Sequence, residues 1–133
     1  MHKKGFTLVE IMIVVAIIAL LAAVAVPGLL RSRIVANETF AQATLKTIAN
    51  ACETYASANE GFYPDDETLL TDVPLPYLGR SYCDQNLNGY TYTCTLDPNE
   101  YTVTAAANSC GHSGNTDFSI TTGSILASSA CAS

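Results

Sequence analysis

The residues of this chain with the widest chemical reach are its cysteines, at positions 52, 83, 94, 110 and 131, together with His112 and scattered carboxylates. Thiols and imidazole can bind zinc, and a histidine with a hydroxyl and an acid can catalyse acyl transfer. Spacing argues against both. No two cysteines form a CxxC pair, which speaks against zinc ribbons and thioredoxin-type redox motifs. Cys110 and His112 would need further thiols to make a zinc site. His112 is the only histidine beyond residue 2, and its neighbours Ser113 and Asp117 share one Gly/Ser/Asn loop with it, with no separate element to orient them. No catalytic residue, metal or cofactor is therefore expected. What remains for the thiols is disulfide formation in an oxidising compartment, with one of the five cysteines left over.

A single carboxylate poses the second chemical question. Glu10 stands at the mouth of an uncharged apolar run from Ile11 to Leu30. As a helix, these roughly 20 residues would be about 30 Å long, enough to cross the hydrocarbon core of a bilayer. The run is too long for the apolar region of a secretory signal peptide. An ionised carboxylate at that depth costs a few kcal/mol unless it has a partner. Lys3 and Lys4 form a positive flank on one side, while Arg31 and Arg33 on the other weaken any assignment of orientation from charge. Pro27, followed by Gly28, would remove a helical hydrogen bond near the far end, a defect that membrane helices tolerate better than soluble ones.

The cluster Lys3-Lys4-Gly5-Phe6-Thr7-Leu8-Val9-Glu10 resembles the processing site of type IV prepilins and their relatives: a short basic leader, a glycine before an aromatic residue, then a glutamate and an unbroken apolar helix. The resemblance is strong over residues 1 to about 60, including the position of the proline. In that family a membrane aspartyl peptidase cuts after the glycine and methylates the new N-terminus. Carried onto this chain, the resemblance implies cleavage between Gly5 and Phe6, N-methylation of Phe6, and assembly through Phe6, Glu10 and Pro27. The cut would create an α-ammonium on Phe6, the complementary charge for Glu10. Within one helix the two are four residues apart, and between subunits the pairing would set the register of neighbouring helices. The resemblance also implies a prepilin peptidase, an assembly ATPase and a platform protein as partners. It places the precursor in the inner membrane and the product in a homo-oligomeric filament on the cell surface.

The elements that must hold these residues can be read from pattern. Ala41, Leu45, Ile48, Cys52 and Tyr55 recur at helical spacing, with Gln42, Lys46, Asn50 and Glu53 off that stripe. Asn59, Gly61 and Pro64 supply stop signals. The reading is one helix over about residues 6–59, apolar all round to residue 30 and amphipathic over 31–59, after a leader at 1–5 and before a head at 60–133. Asn37-Glu38-Thr39 matches a glycosylation sequon, but inside a helix it reads as chance.

Within the head, Asp65, Asp66 and Glu67 precede leucines, as at a short helix whose positive end attracts acids; a calcium site made from them and Asp72 is the lesser reading. Asn88-Gly89 between alternating residues is a strong hairpin signal, since both turn positions need positive φ. That turn sets Leu87 opposite Tyr90, Gln85 opposite Tyr92 and Cys83 opposite Cys94, within disulfide reach, although a hydrogen-bonded pair is awkward for a bridge and a bulge would help. The same stretch begins like a calcium-binding EF-hand loop at Asp84, but the required twelfth-position glutamate is Thr95. Tyr101, Val103 and Ala105 share one strand face, and so do Phe118 and Ile120. Cys110 and Cys131 are the second candidate pair, and Cys52 is left as a buried thiol or an anchor to the sheet.

The fold class expected is α+β: a long N-terminal helix whose amphipathic part packs on three to five antiparallel strands, the layering that the pilin resemblance also implies. The chain has 133 residues and a formal charge of −6, and beyond Arg33 only Lys46 and Arg80 are basic, a poor match for nucleic acid as the main partner. The function expected is a structural subunit of a type IV pilus. A pseudopilin of a type II secretion system is the alternative in the same class; the several cysteines and the lack of a calcium loop favour the pilus. A membrane-anchored domain that never polymerises is the alternative from a different class.

Overall fold

The computed structural model describes residues 2–132. Its elements are helix α1 (Leu8–Ala58), the short helix α2 (Thr68–Thr71), and strands β1 (Asn86–Leu87), β2 (Tyr90–Asp97), β3 (Glu100–Ala107), β4 (Thr116–Thr121) and β5 (Ile125–Ala130). The chain forms two compact units that divide between Arg33 and Ile34, within α1.

In the first unit every described side chain is exposed. Its helix is built from Leu, Ile, Val, Ala and Met on all sides, with a mean hydropathy of 3.0 in its most apolar window. Apolar residues on every side leave no polar face to turn to water. Helical structure runs unbroken through Pro27.

In the second unit α1 becomes one-sided. Ile34, Ala41, Leu45, Ile48, Ala49, Cys52 and Ala56 are buried, and Tyr55 is half-buried with its ring edge-on to Tyr77 at 5.7 Å. The helix ends where the Gly61 N–H donates to the Ala56 carbonyl (2.8 Å). This six-to-one bond closes a Schellman-type cap. The first left-handed residue there is Glu60 (φ 58°), one position before the glycine expected in that role.

The strands form one antiparallel meander in the order β1-β2-β3-β4-β5. Asn88 (φ 49°) and Gly89 (φ 79°) make the tight turn, and Leu87 pairs with Tyr90. Beyond the next pair, Asn86 with Thr91, the ladder acquires an extra residue. The Asp84 N–H donates to the Tyr92 carbonyl (2.8 Å) while the Tyr92 N–H donates to Gln85 (2.9 Å), and Asp84 is left-handed (φ 58°). Two residues against one is a β-bulge, and it lies directly beside Cys83. β5 is a strand that the sequence pattern does not announce, because Ile-Leu-Ala-Ser-Ser-Ala lacks the branched and aromatic alternation of β2 to β4.

The core of this unit joins Leu45, Ile48 and Cys52 of α1 with Tyr90 and Tyr92 of β2, Tyr101, Val103 and Ala105 of β3, and Phe118 and Ile120 of β4. Buried tyrosines need partners for their hydroxyls. Tyr90 donates to the Thr116 carbonyl (2.7 Å) and Tyr101 to Glu53 (2.8 Å), whereas the buried Tyr92 hydroxyl has no partner among the described residues. Glycine lets the strands and loops close in: a Cβ on Gly114 would collide with the Tyr90 ring, and one on Gly89 would lie 2.7 Å from Ser113.

Candidate processing and assembly site

Gly5 and Phe6 lie outside α1 in an exposed segment, with Phe6 86% exposed. The helix starts just beyond them, and its start is built by Thr7 and Glu10. The Thr7 N–H and hydroxyl both donate to the Glu10 carboxylate (2.7 and 2.9 Å), while the Thr7 hydroxyl oxygen accepts the Glu10 N–H (3.3 Å). This is a capping box: a hydroxyl and a carboxylate three residues apart satisfying each other's backbone donors. Glu10 therefore has a local partner in Thr7. Thr7 is the residue that sequence reasoning missed here, although the Thr-x-x-Glu spacing was in plain view.

Pro27 lies far along the same helix. The Ser32 hydroxyl donates back to the Gly28 carbonyl (3.0 Å), a local bond within the turn that follows the proline. A Cβ on Gly28 would meet no atom within 4 Å, so packing inside the chain makes no demand for glycine there.

The head carries two disulfides, Cys83–Cys94 (Cα–Cα 5.4 Å) and Cys110–Cys131 (5.8 Å). Cys52 is the unpaired cysteine, and burial, aided by the nearby Glu53 charge, pushes its thiol up to about 12. A thiol so hard to ionise is a packing group, not a nucleophile.

Two acids have structural roles that their sequence positions did not show. Glu53, off the helix stripe in sequence, accepts bonds from the Tyr101 hydroxyl (2.8 Å), the Tyr63 hydroxyl (3.2 Å) and the Gly123 N–H (2.8 Å), tying α1 to β3 and to the β4–β5 turn. Glu67 accepts from the Ser81 hydroxyl and the Tyr82 and Cys83 N–H groups, pinning the loop that enters the bulge. Of the acids at the start of α2, Asp66 caps the Thr68 N–H (2.8 Å), a bond that holds its carboxyl below the usual range. Among the described residues no cluster of three or more His, Cys, Asp or Glu side chains is placed to hold a metal ion. Ser113 exchanges bonds with the Ser109 backbone and Asp117 accepts the Ala107 N–H, so each is engaged with backbone. Asn37 of the sequon donates to the Ser113 carbonyl (2.9 Å).

The family described as the prokaryotic N-terminal methylation motif matches residues 1–26. The chain is 37% identical over 119 residues to the type IV wide pilus major component PilA4 of Thermus thermophilus, covering 86% of this chain and 78% of that one. It is 31% identical over 103 residues to the type II secretion system core protein G of Escherichia coli, covering 76% and 71% respectively. With the type IV major pilin protein PilA of Myxococcus xanthus it shares 39% over 73 residues, 48% of this chain and 33% of that one. No solved structure matches the chain significantly. With the methylation motif ahead of a wholly apolar helix, and an antiparallel sheet on the helix's one-sided part, the chain belongs to the type IV pilin-like family, which spans pilins and type II secretion pseudopilins.

Proposed function

We propose that this chain is a structural subunit of a type IV pilus, made as a prepilin, cut between Gly5 and Phe6, methylated on Phe6, and assembled through its apolar helix. The observation that carries the reading is the first unit itself: a helix of mean hydropathy 3.0 with none of that window buried within the chain, beginning right after an exposed Gly5–Phe6 bond. Such a surface needs a bilayer before assembly and copies of itself afterwards. Transfer from lipid to protein gains little hydrophobic energy, so packing and polar pairing at Glu10 set the geometry. Removing the leader frees an α-ammonium on Phe6 one turn from Glu10, and Thr7 holds the carboxylate ready until then. Two disulfides fit a head that matures outside the cytoplasm. Prepilin peptidase, a platform protein and an assembly ATPase are the partners this reading requires.

The second reading, a pseudopilin, is favoured by the similarity to protein G of the type II secretion system. One experiment separates the readings: shear the producing cells, pellet filaments, and identify the N-terminal peptide by mass spectrometry. Methylated Phe6 as the N-terminus of an abundant filament protein is the expected result. Processed protein confined to the membrane favours the pseudopilin, and an intact leader favours an anchored domain that does not polymerise.

A further inference from the structure

Strand β5 is an edge of the sheet, paired with β4 on one side only. Edge strands present unpaired N–H and C=O groups and are usually blunted by charge, proline, shortness or cover. β5 has none of these. It is six residues long, contains only Ile, Leu, Ala and Ser, and is exposed except at Leu126. Among the described residues no backbone bond beyond the β4 ladder reaches Ile125–Ala130. The opposite edge differs: β1 is two residues long and runs straight into the bulge at Asp84, and residues 93–97 of β2 beyond it, paired only with β3, share their surface with the acids Asp65, Asp66, Glu67 and Asp84.

We infer that β5 is a docking strand for the β5 of a second copy, paired antiparallel about a twofold axis. Charge selects this occupant. Every acid except Glu10 lies in the second unit, against the two basic residues Lys46 and Arg80, so two copies of that unit repel through their net negative charge. No charged side chain occurs after Asp117, which leaves β5 as a strip where like-charged heads can meet. The short, bulged β1 offers no matching strand, so β5 meets β5. A twofold contact closes on itself and cannot propagate a filament. The paired copies therefore belong to neighbouring filaments, and the contact joins filaments side by side; this step rests on the pilus reading above.

The test uses the full-length chain in producing cells, comparing wild type with Ala127→Glu/Ser129→Glu and with Thr93→Glu, a control at an exposed residue of β2, away from β5. Intact disulfides by peptide mapping confirm that each variant folds. In sheared preparations, wild-type filaments are expected in lateral bundles. The double variant is expected to give equal filament mass with the bundled fraction down at least about tenfold, because like charges opposed across a strand pair repel. Thr93→Glu is expected to bundle as wild type does. Independently, Ala127→Cys with a short bismaleimide is expected to give a covalent dimer of this chain, and Thr93→Cys none. Unbundled wild-type filaments, unchanged bundling in the double variant, or cross-links from position 127 only to a different protein overturn the inference. If no filaments form, the pilus reading fails, and the position-127 dimer alone decides the strand pairing: its presence keeps it and its absence ends it.

Discussion

The two units of this molecule use the same kinds of apolar residue to opposite ends. Before Ile34, Leu, Ile and Val side chains surround the helix and every one is exposed. Beyond it the apolar residues of the same helix narrow to a stripe, and Leu45 and Ile48 are at most 1% exposed against the sheet. A stripe finds its partner within the chain, whereas a full apolar circumference has to find it elsewhere. Polar chemistry divides similarly. The head matches hydroxyls and carboxylates to partners distant in sequence, as Glu53 does with Tyr101 and Gly123, while the polar bonds among the described residues of the first unit are local, the capping box at its start and the Ser32 hydroxyl on Gly28. The head is therefore stable by internal contacts, and the apolar helix is functional through external ones.

The sharpest way to break that division is Glu10→Ala. The substitution removes the carboxylate proposed to pair with the Phe6 α-ammonium in the assembled filament, so filament recovery should fall by about 100-fold or more. The urea unfolding midpoint of the head in detergent should not move. A matched fall in both measurements would mean that the units are not energetically separate. Next comes a pair of identical substitutions. Leu45→Ala empties a fully buried position and should destabilise the head by about 2–5 kcal/mol. Leu20→Ala, at a position 71% exposed, should change head unfolding by less than about 0.5 kcal/mol. Equal effects would contradict the division at Arg33.

Which features can be read from sequence depends on how local their causes are. The helix, the Asn88-Gly89 turn and the Cys83–Cys94 bridge follow from spacing within a few residues, and the structure has all three. The bulge at Asp84 is legible only as a way to ease that bridge. β5 is not legible, since Ala and Ser carry no strand pattern and the element exists because β4 offers it a ladder. Glu53 reads as solvated because helical periodicity places it off the stripe, yet Tyr101, 48 residues away, brings it a hydroxyl. The Thr7–Glu10 box is local and carries a sequence signature, but the bilayer argument competes for the same carboxylate.

Alkali offers a smaller test confined to the head. Burial pushes the Tyr90 and Tyr101 hydroxyls up to about 12, with the charges of Glu38 near Tyr90 and the Glu53 bond to Tyr101 acting the same way. Unfolded tyrosine ionises at about pH 10, so above that pH the unfolded chain holds fewer protons than the folded one. Stability should therefore fall from about pH 10 to about pH 12, by at most about 1.4 kcal/mol per pH unit for each tyrosine. Tyr101→Phe should lower stability at neutral pH and flatten the alkaline slope, because it removes one of the head's raised titrations and one of the donors to Glu53, which keeps the Tyr63 hydroxyl and the Gly123 N–H. An unchanged slope would mean that Tyr101 ionises in the folded head as readily as in the unfolded chain.

The smallest effect expected is also the most discriminating for the first unit. Thr7→Ala removes the hydroxyl of the capping box and should cost about 0.5–2 kcal/mol at the helix start, with Thr7→Ser restoring most of it. Amide exchange at Val9 and Glu10 in the uncut chain should report that loss, with no change in the head. If Glu10 serves only as a cap, Thr7→Ala and Glu10→Ala should reduce filament yield alike. If the carboxylate also pairs with the Phe6 α-ammonium after cleavage, Thr7→Ala should reduce yield far less, because the charge pairing survives loss of the hydroxyl. The ratio of the two losses thus separates a capping role of Glu10 from the pairing proposed with the Phe6 α-ammonium.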